Sequence, residues 1–112
     1  MTLPSPIPID LAEMISARLR VIGDPTRIRI LDLLRDDELT VTQITERLDT
    51  SQQNASKHLG ILLQAGILAR RKDRNSSIYS IADRGVYELC EQVCGGLQMQ
   101  LADLTALVQG TP

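Results

Sequence analysis

Apolar residues recur at helical spacing along most of this chain and at near-alternating spacing in one stretch. Leu11, Met14, Ile15, Leu19 and Ile22 fall on one face of a helix predicted from Asp10 to about Ile22. Gly23-Asp24-Pro25 then closes that helix and opens another, with Asp24 suited to the N-cap and Pro25 to the first helical position. The second helix carries Ile28, Ile30, Leu31 and Leu34 and stops near the RDDE run at 35–38. Val41, Ile44 and Leu48 mark a short third helix over about 41–48. Thr50 with Gln53 has the form of a capping box and predicts a fourth helix over about 51–65. Two short helices across a tight turn make a helix-turn-helix over about 41–65. Beyond Gly66, ILARRK and SIYSIA flank DRNS and read as a β-hairpin over about 68–81. A last helix over about 84–108 carries Val86, Leu89, Cys90, Val93, Leu97, Leu101, Leu104 and Val108 as a stripe. The expected architecture is mainly α with a small β-hairpin. An extended, proline-rich arm at 1–9 precedes a single domain over 10–110.

The fourth helix divides into two chemistries. Ala55, His58, Leu59 and Leu62 share an inward face, while Gln52 and Ser56, and Gln53 and Lys57, stand one turn apart on the other side. Amides can bond bidentately to adenine in a major groove, and an ammonium reaches guanine or phosphate. A helix N-terminus also favours phosphate. Against this stands the whole-chain charge of −2, with a pI near 5.3, because nucleic-acid binders carry a positive excess. The local balance differs: from Lys57 to Arg74 the charges are Lys57, Arg70, Arg71, Lys72 and Arg74 against Asp73 alone. Asp36, Asp37, Glu38, Glu88 and Glu91 lie elsewhere in the sequence. The local field decides where an anionic duplex docks. Tyr79 and Tyr87 are the only aromatic residues, too few for base stacking, so a single-stranded partner is disfavoured relative to double-stranded DNA.

No catalytic constellation is visible. The one histidine, His58, sits on the inner face of the fourth helix, and no Gly-rich phosphate loop or paired-carboxylate motif occurs, so no enzyme is expected. An interaction domain using the apolar terminal helices is the competing non-catalytic class. The N-terminus has no Lys or Arg and no apolar run of the ~20 residues a membrane span needs. A cytoplasmic protein without a membrane partner is expected. In a reducing compartment its two cysteines are thiols.

LRVIGDPTRIRILDLL, LTVTQITERLDTSQQNASKHLGILLQAGIL and RRKDRNSSIYSI together resemble the ArsR/SmtB family of bacterial repressors over roughly residues 10–85. The resemblance implies a winged helix-turn-helix homodimer, joined through its first and last helices, that binds a palindromic operator and releases it when an effector binds. It implies that Ser51, Gln52, Gln53, Ser56 and Lys57 face the groove and that Arg71, Lys72, Arg74 and Asn75 lie on the wing. His58 is expected to be structural.

The family's familiar metal sites are missing. Thr40 and Thr42 occupy the positions of its Cys-x-Cys, and of the zinc positions along the last helix only Asp83 matches, the others being Gly85, Gly96 and Met99. Cys90 and Cys94 remain, one helical turn apart with Cβ atoms ~5–6 Å from each other. Two thiolates there could clamp a soft metal(loid) ion as effector, such as Hg(II), As(III) or Cd(II). They could also respond to oxidation, or simply be small core residues with the effector elsewhere or absent. Gly95 and Gly96 follow directly and weaken the helix beside the thiols.

Overall fold

The computed structural model describes residues 2–110, and Met1, the head of the expected arm, lies outside the described residues. Residues 2–8 are exposed and carry no helix or strand. The elements that follow are α1 (Ile9–Ile22), α2 (Pro25–Leu33), β1 (Leu39–Thr40), α3 (Val41–Leu48), α4 (Gln52–Gln64), β2 (Leu68–Asp73), β3 (Ser76–Ile81) and α5 (Gly85–Val108).

Local chemistry accounts for most boundaries. Asp24 caps α2, its side chain accepting from the Arg27 backbone N–H, with Pro25 inside the first turn. The capping box falls on a different helix from the one expected. Thr40 and Gln43 form it at the start of α3, each side chain bonding the other's backbone N–H. At α4 the N-cap is Ser51, whose Oγ accepts from the Asn54 backbone N–H, and Thr50 instead receives the Asn54 side-chain amide at 3.0 Å. The Thr50–Gln53 expectation fails because the chain enters the helix one residue later, which puts Asn54 rather than Gln53 opposite the cap. α4 ends in a Schellman motif. Ile67 N–H bonds Leu62 O and Gly66 N–H bonds Leu63 O. Gly66 takes φ 78°, a conformation side chains with a Cβ rarely adopt. Asp49 plays the same part after α3, at φ 53°.

The hairpin carries a third strand that the sequence pattern did not announce. β1 pairs antiparallel with β3, Leu39 opposite Tyr79 and Thr40 opposite Ile78, in the order β1-β3-β2. Two residues are too short to show alternation. The core gathers Ile30 and Leu31 of α2, Ile44 of α3, Leu59 and Leu62 of α4 and Ile67, all essentially fully buried. Burial of this order contributes roughly 1.5–3 kcal/mol per large side chain.

The apolar stripes of the outer helices are not absorbed by this core. Met14, Leu19, Leu97, Leu101 and Leu104 are each about half or more exposed. α5 projects beyond the body. The radius of gyration is 17.6 Å, against about 13 Å for a compact chain of this size.

Candidate nucleic-acid interface

α3 and α4 meet across Asp49-Thr50-Ser51, and buried Ile44, Leu48, Ala55, His58, Leu59 and Leu62 hold them against α2 and the sheet. With that face inside, Ser51, Gln52, Gln53, Ser56 and Lys57 are all exposed on the other. Ser51, Gln53 and Lys57 line one shallow concavity together with Asn54, while Gln52 and Ser56 lie outside its lining. Asn54 was not among the residues singled out from the sequence. The signal that could have found it is the Ser51-x-x-Asn54 spacing of a capped first turn.

His58 is buried at 7% exposure. Its Nδ1 lies 3.1 Å from Arg27 Nη1, and because a guanidinium only donates, this geometry suits Nδ1 as the acceptor. Arg27 also donates to Val21 O and Arg20 O at the end of α1. One guanidinium therefore ties the end of α1 to the inner face of α4. Asp24 Oδ1 lies 4.0 Å from the same ring. The bond from Arg27 N–H, aided by the Arg27 charge and opposed by desolvation, holds the Asp24 carboxyl below its ordinary range.

The hairpin register sorts the basic residues. Arg70 pairs with Tyr79, Arg71 with Ile78, Lys72 with Ser77 and Asp73 with Ser76, leaving Arg74 and Asn75 at the tip. Arg74 takes φ 60°. Because successive side chains alternate, Arg70 and Lys72 leave the strand on one face and Arg71 on the other. Glu38 also belongs to the Arg71 face, and its carboxylate accepts from Arg71 at 2.8 Å. This corrects the expectation that the acids lie elsewhere: Glu38 is 33 residues from Arg71 in sequence, and the β1–β3 pairing folds it against the wing. Among the described residues no ion pair engages Lys57, Arg70, Lys72 or Arg74.

The thiols lie away from this surface. Cys90 and Cys94 are free, the first half-buried and the second exposed. They share a groove of about 370 Å3 with Leu19, Ile22 and Gly23 of the α1 end, Ile28 of α2 and Leu89, Val93 and Leu97 of α5. Burial pushes the Cys90 thiol up. α5 runs unbroken through Gly95 and Gly96. Among the described residues no group of three His, Cys, Asp or Glu side chains could hold a metal ion. Asp83 is engaged by Arg18 at 2.6 Å, and Arg18 also donates to Ala65 O. The described residues of one chain therefore do not by themselves assemble a closed zinc site of four protein ligands. Among the described residues no helix is long and apolar enough to cross a membrane.

Residues 22–71 match the family described as a helix-turn-helix domain. The chain is 34% identical over 91 residues to the HTH-type transcriptional regulator Rv0081 of Mycobacterium tuberculosis, covering 80% of each. The crystal structure of that regulator superposes with a TM-score of 0.77 at 33% identity, over 86% of this chain and 97% of the other. The HTH-type transcriptional repressor SmtB of the same organism is 30% identical over 82 residues, 73% of this chain and 61% of the repressor. The solution structure of a homodimeric winged helix-turn-helix DNA-binding domain from Mycobacterium bovis shares the fold. Its TM-score is 0.71 at 24% identity, over 88% of this chain and 91% of the other.

Proposed function

Because the chain belongs to the ArsR/SmtB family of winged helix-turn-helix transcriptional regulators, we propose that it is a cytoplasmic homodimeric repressor of a palindromic operator. The reading head is α4, entering the major groove with Gln52, Gln53, Ser56 and Lys57. The observation that carries this is the division of α4. Its buried face packs into the core, while the exposed side chains of Gln52, Gln53, Ser56 and Lys57 lie on the opposite face. Ser51 and the free N–H groups of the first turn suit a phosphate. Lys72, Arg74 and Asn75 extend the contact from the wing, with Arg70 added by the strand register and Arg71 available once Glu38 gives it up.

Dimerisation is supported by the apolar residues that α1 and α5 leave in water, among them Met14, Leu97, Leu101 and Leu104. A single chain pays for that exposure, and a two-fold partner placing the same helices opposite them removes it. The relative SmtB is named a repressor and the M. bovis domain is named homodimeric, which agrees with both parts of the reading.

The effector acts at Cys90 and Cys94. Their groove adjoins the α1 end that Arg27 grips, and Arg27 in turn bonds His58 on α4. A shift of α1 against α5 is thereby communicated to the reading head. Burial raises the Cys90 thiol, and the thiolate is the reactive form both for a soft ion and for an oxidant, so the two responses remain alternatives at the same pair.

Fluorescence anisotropy on duplex from the protein's own upstream region tests the first part. Binding whose affinity falls steeply with salt is expected, and no binding at low salt removes the proposal. Light scattering should give twice the mass of the 12.4 kDa chain; a monomer at the concentrations that bind DNA rules out the two-fold reading. Replacing both cysteines with serine should leave DNA binding intact and abolish release by the effector.

A further inference from the structure

Gly60 is a gap in the outward row of α4. Gln53, Lys57, Gly60 and Gln64 follow one another at spacings of four, three and four, so they share one face, and all four are exposed. Ala55, His58, Leu59 and Leu62 bury the other side. Glycine is the least favourable residue in a helix interior after proline. Nothing within the chain calls for it here. Outside its chain neighbours and its own helical turn, a Cβ built at Gly60 would meet no heavy atom within 4 Å. By contrast, a Cβ at Gly23 would stand 3.1 Å from Leu19 O, and Gly66 serves its φ of 78°. Gly95 and Gly96 are as open as Gly60, but they belong to α5. On the outward row of α4 a missing side chain serves something outside the chain that approaches the bare backbone closely.

We propose that Gly60 is where one sugar–phosphate strand of a DNA duplex crosses α4, with the helix backbone itself in van der Waals contact with the strand. The inference rests on α4 being the reading head, and it adds how deeply that helix is seated. α4 begins at Gln52, and at 1.5 Å per residue Gly60 lies about 12 Å further along the axis. A major groove is about 8.5 Å deep. On a helix inclined in the groove with its first turn lowest, that distance brings Gly60 to the height of the rim, where the phosphates lie. Lys57, one turn earlier on the same row, then reaches the same strand with its ammonium. A side chain at position 60 would hold the helix off by the width of a methyl group or more, lifting Gln52, Gln53 and Ser56 from the base edges.

The test is Gly60→Ala and Gly60→Leu in the full chain. Both replacements favour the helix, so each variant should unfold at a midpoint raised by roughly 3–6 °C. Each should keep the wild-type mass in light scattering. DNA binding should move the opposite way. By anisotropy on one operator duplex, Gly60→Ala should bind roughly five-fold or more weakly than wild type, the effect of one methyl group forced into a packed contact. Gly60→Leu should bind more weakly still. An unrelated duplex should lose affinity as well, because the strand carries no sequence. Gly60→Ala binding as tightly as wild type, Gly60→Leu binding no worse than Gly60→Ala, or a loss confined to the operator overturns the proposal. So does a midpoint that falls in both variants, since the fold itself then needs the glycine. Wild-type binding in the same titrations separates the failures. A duplex bound by neither wild type nor variants removes the regulator reading and this inference with it, whereas a wild type that binds and a Gly60→Ala that binds equally well remove the inference alone.

Discussion

Glu38→Gln should tighten DNA binding, and the size of the effect follows from the wing. In the wild type the Glu38 carboxylate holds Arg71 at 2.8 Å, with the two side chains 51% and 58% exposed. So open a pair is well screened, and its loss should leave the unfolding midpoint nearly unchanged. Its influence on an arriving duplex is larger. Glu38 neutralises one of the basic residues of β2 and places an acid where phosphates approach. With the amide in place, Arg71 is free to neutralise one phosphate in each protomer. The slope of log affinity against log salt steepens by about 0.9 per phosphate, so two protomers add about 1.8. Between about 50 and about 200 mM salt the variant should therefore lose about ten-fold more affinity than wild type while binding more tightly at the low end. The assay is anisotropy on one operator duplex at several salt concentrations, with Arg71→Gln as control. That control should have the wild-type slope or a shallower one. If Glu38→Gln binds more weakly at low salt with no steeper slope, the bridge is instead aiming Arg71 at the DNA and the reasoning is refuted.

The other expectations are simpler. Lys57→Ala should weaken operator and unrelated duplex about equally and lower the salt slope by about 1 per phosphate lost. Gln53→Ala should cost about 1–3 kcal/mol on the operator with the slope unchanged, and a uniform loss across sequences would show that Gln53 reads no base. Leu59→Ala empties a fully buried site behind the reading head. It should lower unfolding free energy by about 2–5 kcal/mol, and a loss below 1 kcal/mol in urea titration would place Leu59 outside the core. Asp24→Ala removes the α2 cap and should cost about 1 kcal/mol at neutral pH. The folded-state carboxyl is depressed, so its stabilisation is present above the unfolded value of about 3.9 and lost as pH falls through the folded value. The gap between wild type and variant should be constant from about pH 7 to pH 5 and narrow below about pH 4.

Periodicity and capping chemistry are local, and that is why so much was legible in the residues themselves. The spacing of Val41, Ile44 and Leu48, the Asp24-Pro25 start and the run ILARRKDRNSSIYSI each announce an element within a dozen positions. The same spacing put Gln52, Gln53, Ser56 and Lys57 on the outside of α4 once Leu59 and Leu62 were assigned inward. Tertiary structure alone decided which distant groups meet. Glu38 reaches Arg71 only because a two-residue strand pairs with β3, and Arg18 takes Asp83 only because α1 packs beside the start of α5. Arg27 joins the end of α1 to His58 across 31 residues. A charge pattern read along the chain counts these residues singly. Coulomb and hydrogen-bond energies depend on distance in space, and only packing sets that distance. The stripe on α5 could likewise be read as apolar from its spacing. That it stays in water in one chain, and so asks for a partner, depended on how much of it the core had room to cover.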